Sequence, residues 1–150
     1  MAEPTKCPTC GRYPTPYLAV DIVIELEMSK GGIVLIKRKN PPFGLALPGG
    51  FVNYGESVEK AAAREAKEET SLKIHSLEQL GVYSNPKRDP RGHIVSVAFA
   101  AIGKGTPKAR DDAAEIGVYT YKDLLSLKLA FDHSSIVSEY FVKRIERLMV

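Results

Sequence analysis

The chain has 150 residues, of which 44% are hydrophobic and 26% are charged, and its formal net charge at pH 7 is +3. This length and composition predict one soluble globular domain, and they exclude a membrane-spanning protein because no apolar run approaches the length that crosses a bilayer. The small positive charge is spread along the chain and therefore gives no strong case for a nucleic-acid groove.

Residues 1–16 predict an N-terminal arm ahead of a domain at 17–150. The arm contains Cys7-Pro8-Thr9-Cys10-Gly11, which resembles one knuckle of a zinc ribbon. A structural zinc site needs four ligands, and the isolated histidines supply no second pair, so a complete site within one chain is not expected. We interpret the arm as a flexible extension, with a site shared between two protomers as an open alternative. With only these two cysteines and no export signal, we expect a cytoplasmic protein.

The domain begins with two runs rich in β-branched residues, YLAVDIVIEL from Tyr17 and IVLIKR, which predict a hairpin joined by the turn 29–32. The proline- and glycine-rich NPPFGLALPGG predicts a loop. A helix is predicted from Val58 to about Thr70 with Ser57 as its N-cap, because its apolar residues, Val58, Ala61, Ala62 and Ala66, recur on one side.

The second half alternates strands and loops. LKIHSLEQLGVYS and HIVSVAFAAI predict two strands around the loop NPKRDPRG, and GVYTY predicts a last short strand. The intervening GKGTPKARDDAAE has no apolar periodicity and predicts a mobile loop. Helical spacing returns between Ser134 and Met149, so a closing helix is expected to pack on the sheet.

Three glutamates of the predicted helix, Glu65, Glu68 and Glu69, follow Arg64 at spacings of three and four residues. This spacing stacks them on one helical face, where their mutual repulsion favours binding of a compensating cation. Hard Mg²⁺ or Mn²⁺ suits carboxylate oxygens. Judged on the glutamates alone, a solvated surface paired with Lys60 and Lys67 is the favoured interpretation.

The wider pattern decides between these interpretations. Gly50, then Glu56, then Arg64-Glu65-Ala66-Lys67-Glu68-Glu69 closely resembles the defining box of the Nudix hydrolases. The resemblance implies an α+β fold, an α/β/α sandwich with a mixed central sheet flanked by helices. Two positions depart from the family pattern: Ser71 stands where glycine is usual, and Ala66 stands where a bulky aliphatic residue is usual.

The resemblance also implies roles for individual residues. Glu65 and Glu69 are the first candidates for metal ligands, followed by Glu68 and a loop carbonyl such as that of Gly50. Arg64 is expected to pair with Glu56 and so hold the loop against the helix. The general base is left open between a box glutamate, Glu68, and a loop acid among Asp111, Asp112 and Glu115, of which Glu115 is favoured because a strand end would position it. That all three loop acids are ordinary surface residues is an equal alternative.

The segment NPKRDPRGH resembles the ADP-ribose pyrophosphatase subgroup, in which Pro86 is a marker, and Lys87, Arg88 and Arg91 are candidate contacts to phosphate or ribose. The resemblance implies Mg²⁺-dependent hydrolysis of ADP-ribose to AMP and ribose 5-phosphate by a homodimer, with no nucleic-acid or membrane partner. Alternatives are hydrolysis of oxidised nucleoside triphosphates or dinucleoside polyphosphates, a nucleotide-sensing regulator, and a zinc-linked interaction module. A stacking surface for the base is sought among Tyr17, Phe43, Tyr54 and Tyr83.

Overall fold

A computed structural model describes residues 5–150 as a mixed sheet of seven strands with helices on both faces. In chain order the elements are β1 (Tyr17–Leu26), a short 3-10 turn (Glu27–Ser29), β2 (Ile33–Arg38), β3 (Leu45–Ala46), β4 (Gly49–Phe51), α1 (Val58–Thr70), β5 (Lys73–Tyr83), β6 (Ile94–Lys104), β7 (Ala113–Tyr119), α2 (Tyr121–Ser126) and α3 (His133–Leu148). The first residues of the predicted arm, 1–4, lie outside the described part of the chain.

The sheet is built around β1. Its strand order is β3-β2-β1-β6-β5, while β4 also pairs with β1 and β7 pairs with β2. β1 runs parallel to β6 over its whole length, from Tyr17 to Leu26, and antiparallel to its other partners. The predicted hairpin of β1 and β2 is therefore correct only at its closed end, where Glu25 pairs with Ile33.

Alternation along β1 divides the core into two layers. Val20, Ile22 and Ile24 pack against α1, whereas Val23 packs in the layer that contains α3. A strand covered on both faces explains the nearly continuous apolar run that the sequence shows. The arrangement confirms the expected α/β/α sandwich.

Helix α1 has the predicted boundaries. The hydroxyl oxygen of Ser57 accepts a hydrogen bond from the backbone N–H of Lys60 at 3.3 Å, and the fully buried Ala61, Ala62 and Ala66 let the helix backbone lie close to the sheet. The helix ends at Ser71, which has φ +62°. A side chain in this left-handed conformation costs about 1 kcal/mol compared with glycine, which is the strain expected at this departure from the Nudix pattern.

Two loop predictions need correction. The predicted loop at 40–50 contains β3 and the start of β4, and the end of the predicted mobile loop belongs to β7. Such short or polar segments become strands because a neighbouring strand offers hydrogen-bond partners, which local patterns do not reveal. Helix α2 is also absent from the sequence-based prediction, although Thr120 and Asp123 form a capping box, a sequence signature of a helix N-terminus.

Candidate functional site

Glu69 lies at the centre of the candidate site, where α1 meets β4. Its side chain is buried, with the residue only 5% exposed, and its Oε2 atom accepts a hydrogen bond from the backbone N–H of Gly49 at 2.9 Å. Burial raises the pKa of this carboxyl to about 8, despite the hydrogen bond from Gly49, because few groups nearby stabilise its charged form. Nearby Glu65 and Asp112 raise the pKa further.

Gly50 makes room for Glu65. A Cβ atom placed on Gly50 would lie 2.5 Å from the carboxyl carbon of Glu65, so only glycine allows this carboxylate to lie against the β4 backbone. Glu65 is half-buried, and its pKa is raised chiefly by burial, against the opposing effect of Arg64. Two adjacent glutamate carboxyls therefore face the same strand and both resist ionisation.

Arg64 forms ion pairs with three carboxylates of the site. It forms the predicted pair with Glu56 through two hydrogen bonds of 2.8 and 2.9 Å, and it also contacts Glu65 at 2.5 Å and Glu68 at 3.1 Å. Its Nη2 atom donates to the carbonyl of Phe51 at 2.9 Å. These contacts tie the β4–α1 loop to the helix, and the hydrogen bonds from Arg64 lower the pKa of Glu56 to about 2.

The site therefore has more negative than positive groups. Across residues 5–150, no set of three or more His, Cys, Asp or Glu side chains converges as a metal cluster, and Arg64 pairs with both Glu65 and Glu68. The donor set nevertheless fits a hard divalent ion: it consists of oxygen atoms, and burial without a matching charge makes a cation favourable beside Glu65 and Glu69.

A second group of charged residues lies across the β4 strand, on the α3 side. Asp21 accepts hydrogen bonds from Ser96 at 2.6 Å and Arg88 at 3.2 Å, and Arg88 also pairs with Asp132 at 2.6 Å. Burial acts to raise the pKa of Asp21, but His133, Ser96 and Arg88 outweigh it and hold this pKa well below its usual range. We call Asp21, Arg88, Ser96, Asp132 and His133 the buried network.

The buried network reaches the site through His133. The backbone N–H of Leu47 donates to His133 Nδ1 at 3.0 Å, so this nitrogen carries a lone pair and the ring proton sits on Nε2, which lies 3.1 Å from Asp21 Oδ1. A Cβ atom on Gly49 would lie 2.1 Å from the Val20 carbonyl oxygen. The segment that carries Gly49 and Gly50 is therefore fixed by hydrogen bonds on both faces of the sheet: Leu47 bonds to His133 on one face, and Gly49 bonds to Glu69 on the other.

A small cleft with a volume of about 40 Å³ opens beside Gly49 and Gly50. Two guanidinium groups form part of its wall. The guanidinium carbon of Arg91 lies 5.6 Å from the ring centroid of Phe51 and 5.2 Å from that of Phe131, and the guanidinium carbon of Arg38 lies 4.9 Å from the Phe131 centroid. Burial and the neighbouring Arg91 lower the pKa of Arg38. The cleft combines positive charge with aromatic surface next to the acidic face of α1.

The structure brings some of the predicted substrate residues to the cleft and leaves others away from it. Arg91 and Arg88 line the cleft, but the buried guanidinium of Arg88 is committed to two carboxylates. Arg91 pairs with one carboxylate, that of Asp89 at 2.8 Å, and its side chain is 43% exposed. Pro86 and Lys87 lie exposed on the β5–β6 loop. Glu115 lies in β7 with a 71% exposed side chain paired to Lys37 at 3.1 Å.

Sequence reasoning missed four residues that line the cleft: Arg38, Phe51, Phe131 and His133. Of the predicted stacking residues, Tyr17 lies 5.9 Å from the Phe51 ring, whereas Phe43 and Tyr54 are exposed and the hydroxyl of Tyr83 contacts Glu139. Arg38 ends a strand and Phe51 follows the double glycine, which are the only local signals for either residue. Phe131 and His133 come from a distant segment, and no local pattern connects them with the site.

Comparison with known proteins identifies the family of this chain. The NUDIX domain model matches residues 16–140. The chain belongs to the Nudix family. The family resemblance carried by the box is therefore confirmed, as is the class of pyrophosphohydrolase, and Nudix hydrolases generally use a divalent metal.

Individual relatives cover much of the chain. An ADP-ribose pyrophosphatase of Methanocaldococcus jannaschii is 52% identical over 85% of this chain and 75% of its own length. An ADPR responsive transcriptional repressor of Acinetobacter baylyi is 33% identical over 87% of this chain, which spans 55% of that protein.

Two solved structures show the same fold. The NUDIX domain of Shewanella oneidensis NrtR, complexed with ADP ribose, superposes with a TM-score of 0.80 at 28% identity over 87% of this chain and 90% of that one. A MutT/nudix family protein from Enterococcus faecalis has a TM-score of 0.79 at 36% identity, covering 90% of this chain and 64% of that one. Within residues 5–150, none of the helices is long and apolar enough to cross a bilayer.

Proposed function

We propose that the protein hydrolyses ADP-ribose to AMP and ribose 5-phosphate in the presence of Mg²⁺. The observation that carries this proposal is the 52% identity to an ADP-ribose pyrophosphatase across 85% of the chain. The similarity to a NUDIX domain complexed with ADP ribose supports the same ligand.

The charges around the cleft suit a diphosphate bridge. ADP-ribose carries its negative charge between two riboses, so a matching site needs cations near the diphosphate and flat surface near the base. Arg38 and Arg91 provide guanidinium groups whose Nη1 atoms remain available, since Arg91 Nε and Nη2 donate to Asp89 and Arg38 Nε donates to the Pro42 carbonyl. Phe51 and Phe131 provide aromatic faces beside them. We assign Arg91 to the phosphate or terminal ribose, while Lys87 and Pro86 remain candidates at the exposed rim.

Glu65, Glu69 and the carbonyl of Gly50 would hold Mg²⁺, with Glu68 as a further ligand. A divalent ion bound there neutralises phosphate charge and lowers the pKa of water. The chain itself orients these ligands: the N–H of Gly49 fixes the Glu69 carboxylate, and Arg64, anchored by Glu56, steers Glu65 and Glu68. Mn²⁺ fits the same oxygen ligands.

For the base that takes the proton from water, we propose Glu68 or a loop acid. Glu68 has a 47% exposed side chain, so it is accessible to solvent and substrate. Among the loop acids, Asp112 is close enough to raise the pKa of Glu69, whereas Glu115 pairs with Lys37. We therefore place Asp112 ahead of Glu115 in this role.

Arg88 has a different part in this proposal. Because both Asp21 and Asp132 neutralise it inside the buried network, we assign it to positioning the cleft wall and not to direct phosphate contact. A homodimer and a cytoplasmic location complete the proposal, on the resemblance to ADP-ribose hydrolases and the cysteine content respectively.

A substrate panel with product identification tests the function. Purified protein is incubated in Mg²⁺ buffer with one substrate at a time: ADP-ribose, 8-oxo-dGTP or a dinucleoside polyphosphate. The products of each reaction are separated by ion-exchange chromatography. We expect AMP and ribose 5-phosphate in equal amounts from ADP-ribose, with the highest kcat/KM of the panel. Arg91→Met should raise KM for ADP-ribose, and Lys122→Met, which is exposed and outside the cleft, serves as its matched control.

Turnover of a nucleoside triphosphate to pyrophosphate, with ADP-ribose left intact, would refute the substrate assignment. This second candidate has one observation in its favour: a putative 8-oxo-dGTP diphosphatase of Bacillus subtilis is 45% identical, although over only 41% of the chain. Tight binding of ADP-ribose without any product would instead indicate a sensor.

A further inference from the structure

The cysteine pair of the N-terminal arm forms a compact turn that the hydrolase site does not use. The backbone N–H of Gly11 donates to the carbonyl of Cys7 at 2.9 Å, and the N–H of Cys7 donates to the carbonyl of Arg12 at 2.7 Å. Gly11 adopts φ +69°, a left-handed conformation that glycine allows at little cost. The chain therefore reverses direction around the two thiols.

The turn also changes the surroundings of the Cys7 thiol, which is partly buried, whereas the Cys10 thiol is exposed. The neighbouring backbone of Cys10 and Thr9 lowers the pKa of the Cys7 thiol from its ordinary value. Two cysteines separated by two residues in such a turn supply two of the four ligands of a tetrahedral zinc site.

The described part of the chain adds no further ligand to the pair. Within residues 5–150 no third His, Cys, Asp or Glu joins the pair in a metal-binding cluster. Residues 8–18 are exposed, and most of the arm lies ahead of the matched domain at 16–140, so the turn is accessible to another molecule. Structural zinc sites are almost always four-coordinate, and a second copy of this chain would supply two more thiolates by two-fold symmetry.

Charge favours the same arrangement. Four thiolates around one Zn²⁺ leave a net charge of about −2. Each arm has Lys6 before and Arg12 after its cysteines, so two arms supply cations on both sides of the metal. Lys6 also lies over the Tyr13 ring, with Nζ 5.2 Å from its centroid, which links the two ends of the turn.

We propose that Cys7 and Cys10 of two copies of this chain bind one structural zinc ion, joining the N-terminal arms of a dimer. Each ligating thiol releases its proton to solvent on binding, so the site assembles more readily as pH rises. This zinc site is separate from the glutamates of α1 and does not depend on the proposed substrate.

Metal stoichiometry of the full chain tests the proposal. Reduced protein is stripped with a chelator, loaded with Zn²⁺ in excess Mg²⁺, and passed through a gel-filtration column with light scattering and elemental analysis. We expect one zinc per two chains in a dimer, and thiolate-to-metal charge-transfer bands when Co²⁺ replaces zinc. Glu65→Gln/Glu69→Gln, which removes the carboxylate ligands, should retain this zinc and serves as the matched control.

The Cys7→Ser/Cys10→Ser variant should lose the zinc and the cobalt bands. Zinc retained by that variant, one zinc per chain, or no zinc in the reduced wild type would each overturn the shared site. A Cys7–Cys10 disulfide that forms in air, together with failure of the reduced protein to take up zinc, would indicate a redox pair instead. Since these readouts measure metal and mass, they stand whether or not ADP-ribose is the substrate.

Discussion

The two charged groups on either side of the Gly49–Gly50 segment are balanced in opposite ways. In the buried network, Asp21 has Arg88, Ser96 and His133 as partners, and its pKa lies well below its usual range. On the α1 side, Glu69 is buried with a backbone N–H as its partner, and its pKa rises to about 8. Each group contains a buried carboxylate, but only the first is neutralised by the fold.

The difference separates a structural role from a functional one. Burial of a carboxylate is tolerated when charge partners and hydrogen bonds replace water, as they do around Asp21. Among the described residues, no buried side-chain polar atom lacks a hydrogen-bond partner, so the imbalance at Glu69 is not a sign of poor packing. It leaves a place where an added cation stabilises the protein.

The largest expected effect comes from removing charge on the unbalanced side. Glu69→Gln retains the acceptor for the Gly49 N–H but removes a proposed metal ligand, so kcat/KM should fall by more than the ~100-fold typical of losing an outer-shell partner. Glu59→Gln, on the exposed face of the same helix, should stay near wild type. Wild-type turnover by Glu69→Gln in a steady-state assay would remove Glu69 from the metal site.

Breaking the balanced side should act on stability instead. Arg88→Met leaves Asp21 and Asp132 without their shared cation, and loss of one partner from a buried ion pair costs about 3–5 kcal/mol. Urea denaturation should show this loss in the free energy of unfolding, whereas Lys87→Met, one residue earlier and exposed, should show almost none. A stable Arg88→Met protein with a raised KM would return Arg88 to direct substrate binding.

The pH dependence of metal-free stability should reveal the unbalanced carboxylate. Glu69 holds its proton more tightly in the folded protein, with a pKa of about 8 against an ordinary 4.5, so the free energy of unfolding should fall as pH rises between those values. The loss should reach a few kcal/mol, because a tenfold change in proton affinity is worth about 1.4 kcal/mol.

Two controls sharpen this prediction. Glu69→Gln should flatten the fall in stability with pH, and Mg²⁺ should restore stability at pH 8 more than NaCl of equal ionic strength does. A metal-free wild type whose unfolding free energy does not change across this pH range would contradict the raised pKa.

The adjacent glycines offer a matched pair with different outcomes. Gly50→Ala pushes on the flexible end of Glu65, so kcat/KM should fall about tenfold and require more Mg²⁺, with little change in Tm. Gly49→Ala meets the Val20 carbonyl oxygen at 2.1 Å, so its main effect should be a lower Tm. Equal effects of both changes on Tm would show that Gly50 has a structural role too.

The smallest effect concerns the loop acids. Glu115→Gln removes an exposed pair with Lys37, and such pairs are worth about 0–1 kcal/mol, so stability and turnover should change little. Asp112→Asn, closer to Glu69, should lower kcat more and alter its pH profile. A large loss of kcat in Glu115→Gln alone would restore Glu115 as the base.

The sequence predicted those parts of the molecule that depend on local repetition. Runs of β-branched residues predicted β1 and β2 with their observed ends, and the alanine stripe with the Ser57 cap predicted α1. The fixed spacing of Gly50, Glu56, Arg64 and the glutamates predicted both the family and the acidic face. All these signals lie within one helix or strand or the loop next to it, where the spacing of residues determines which side chains share a face.

Tertiary structure alone decided which charges are satisfied. Arg88 looked like a phosphate contact from its loop, but Asp21 and Asp132 reach it from β1 and from the residue before α3. Phe131 and His133 join the site across many residues of chain, and the pairing of β1 with β6 brings Ser96 beside Asp21. A charge acquires its partner only when distant strands and helices pack together, so composition and spacing located the acids, and the fold determined which of them lack a partner.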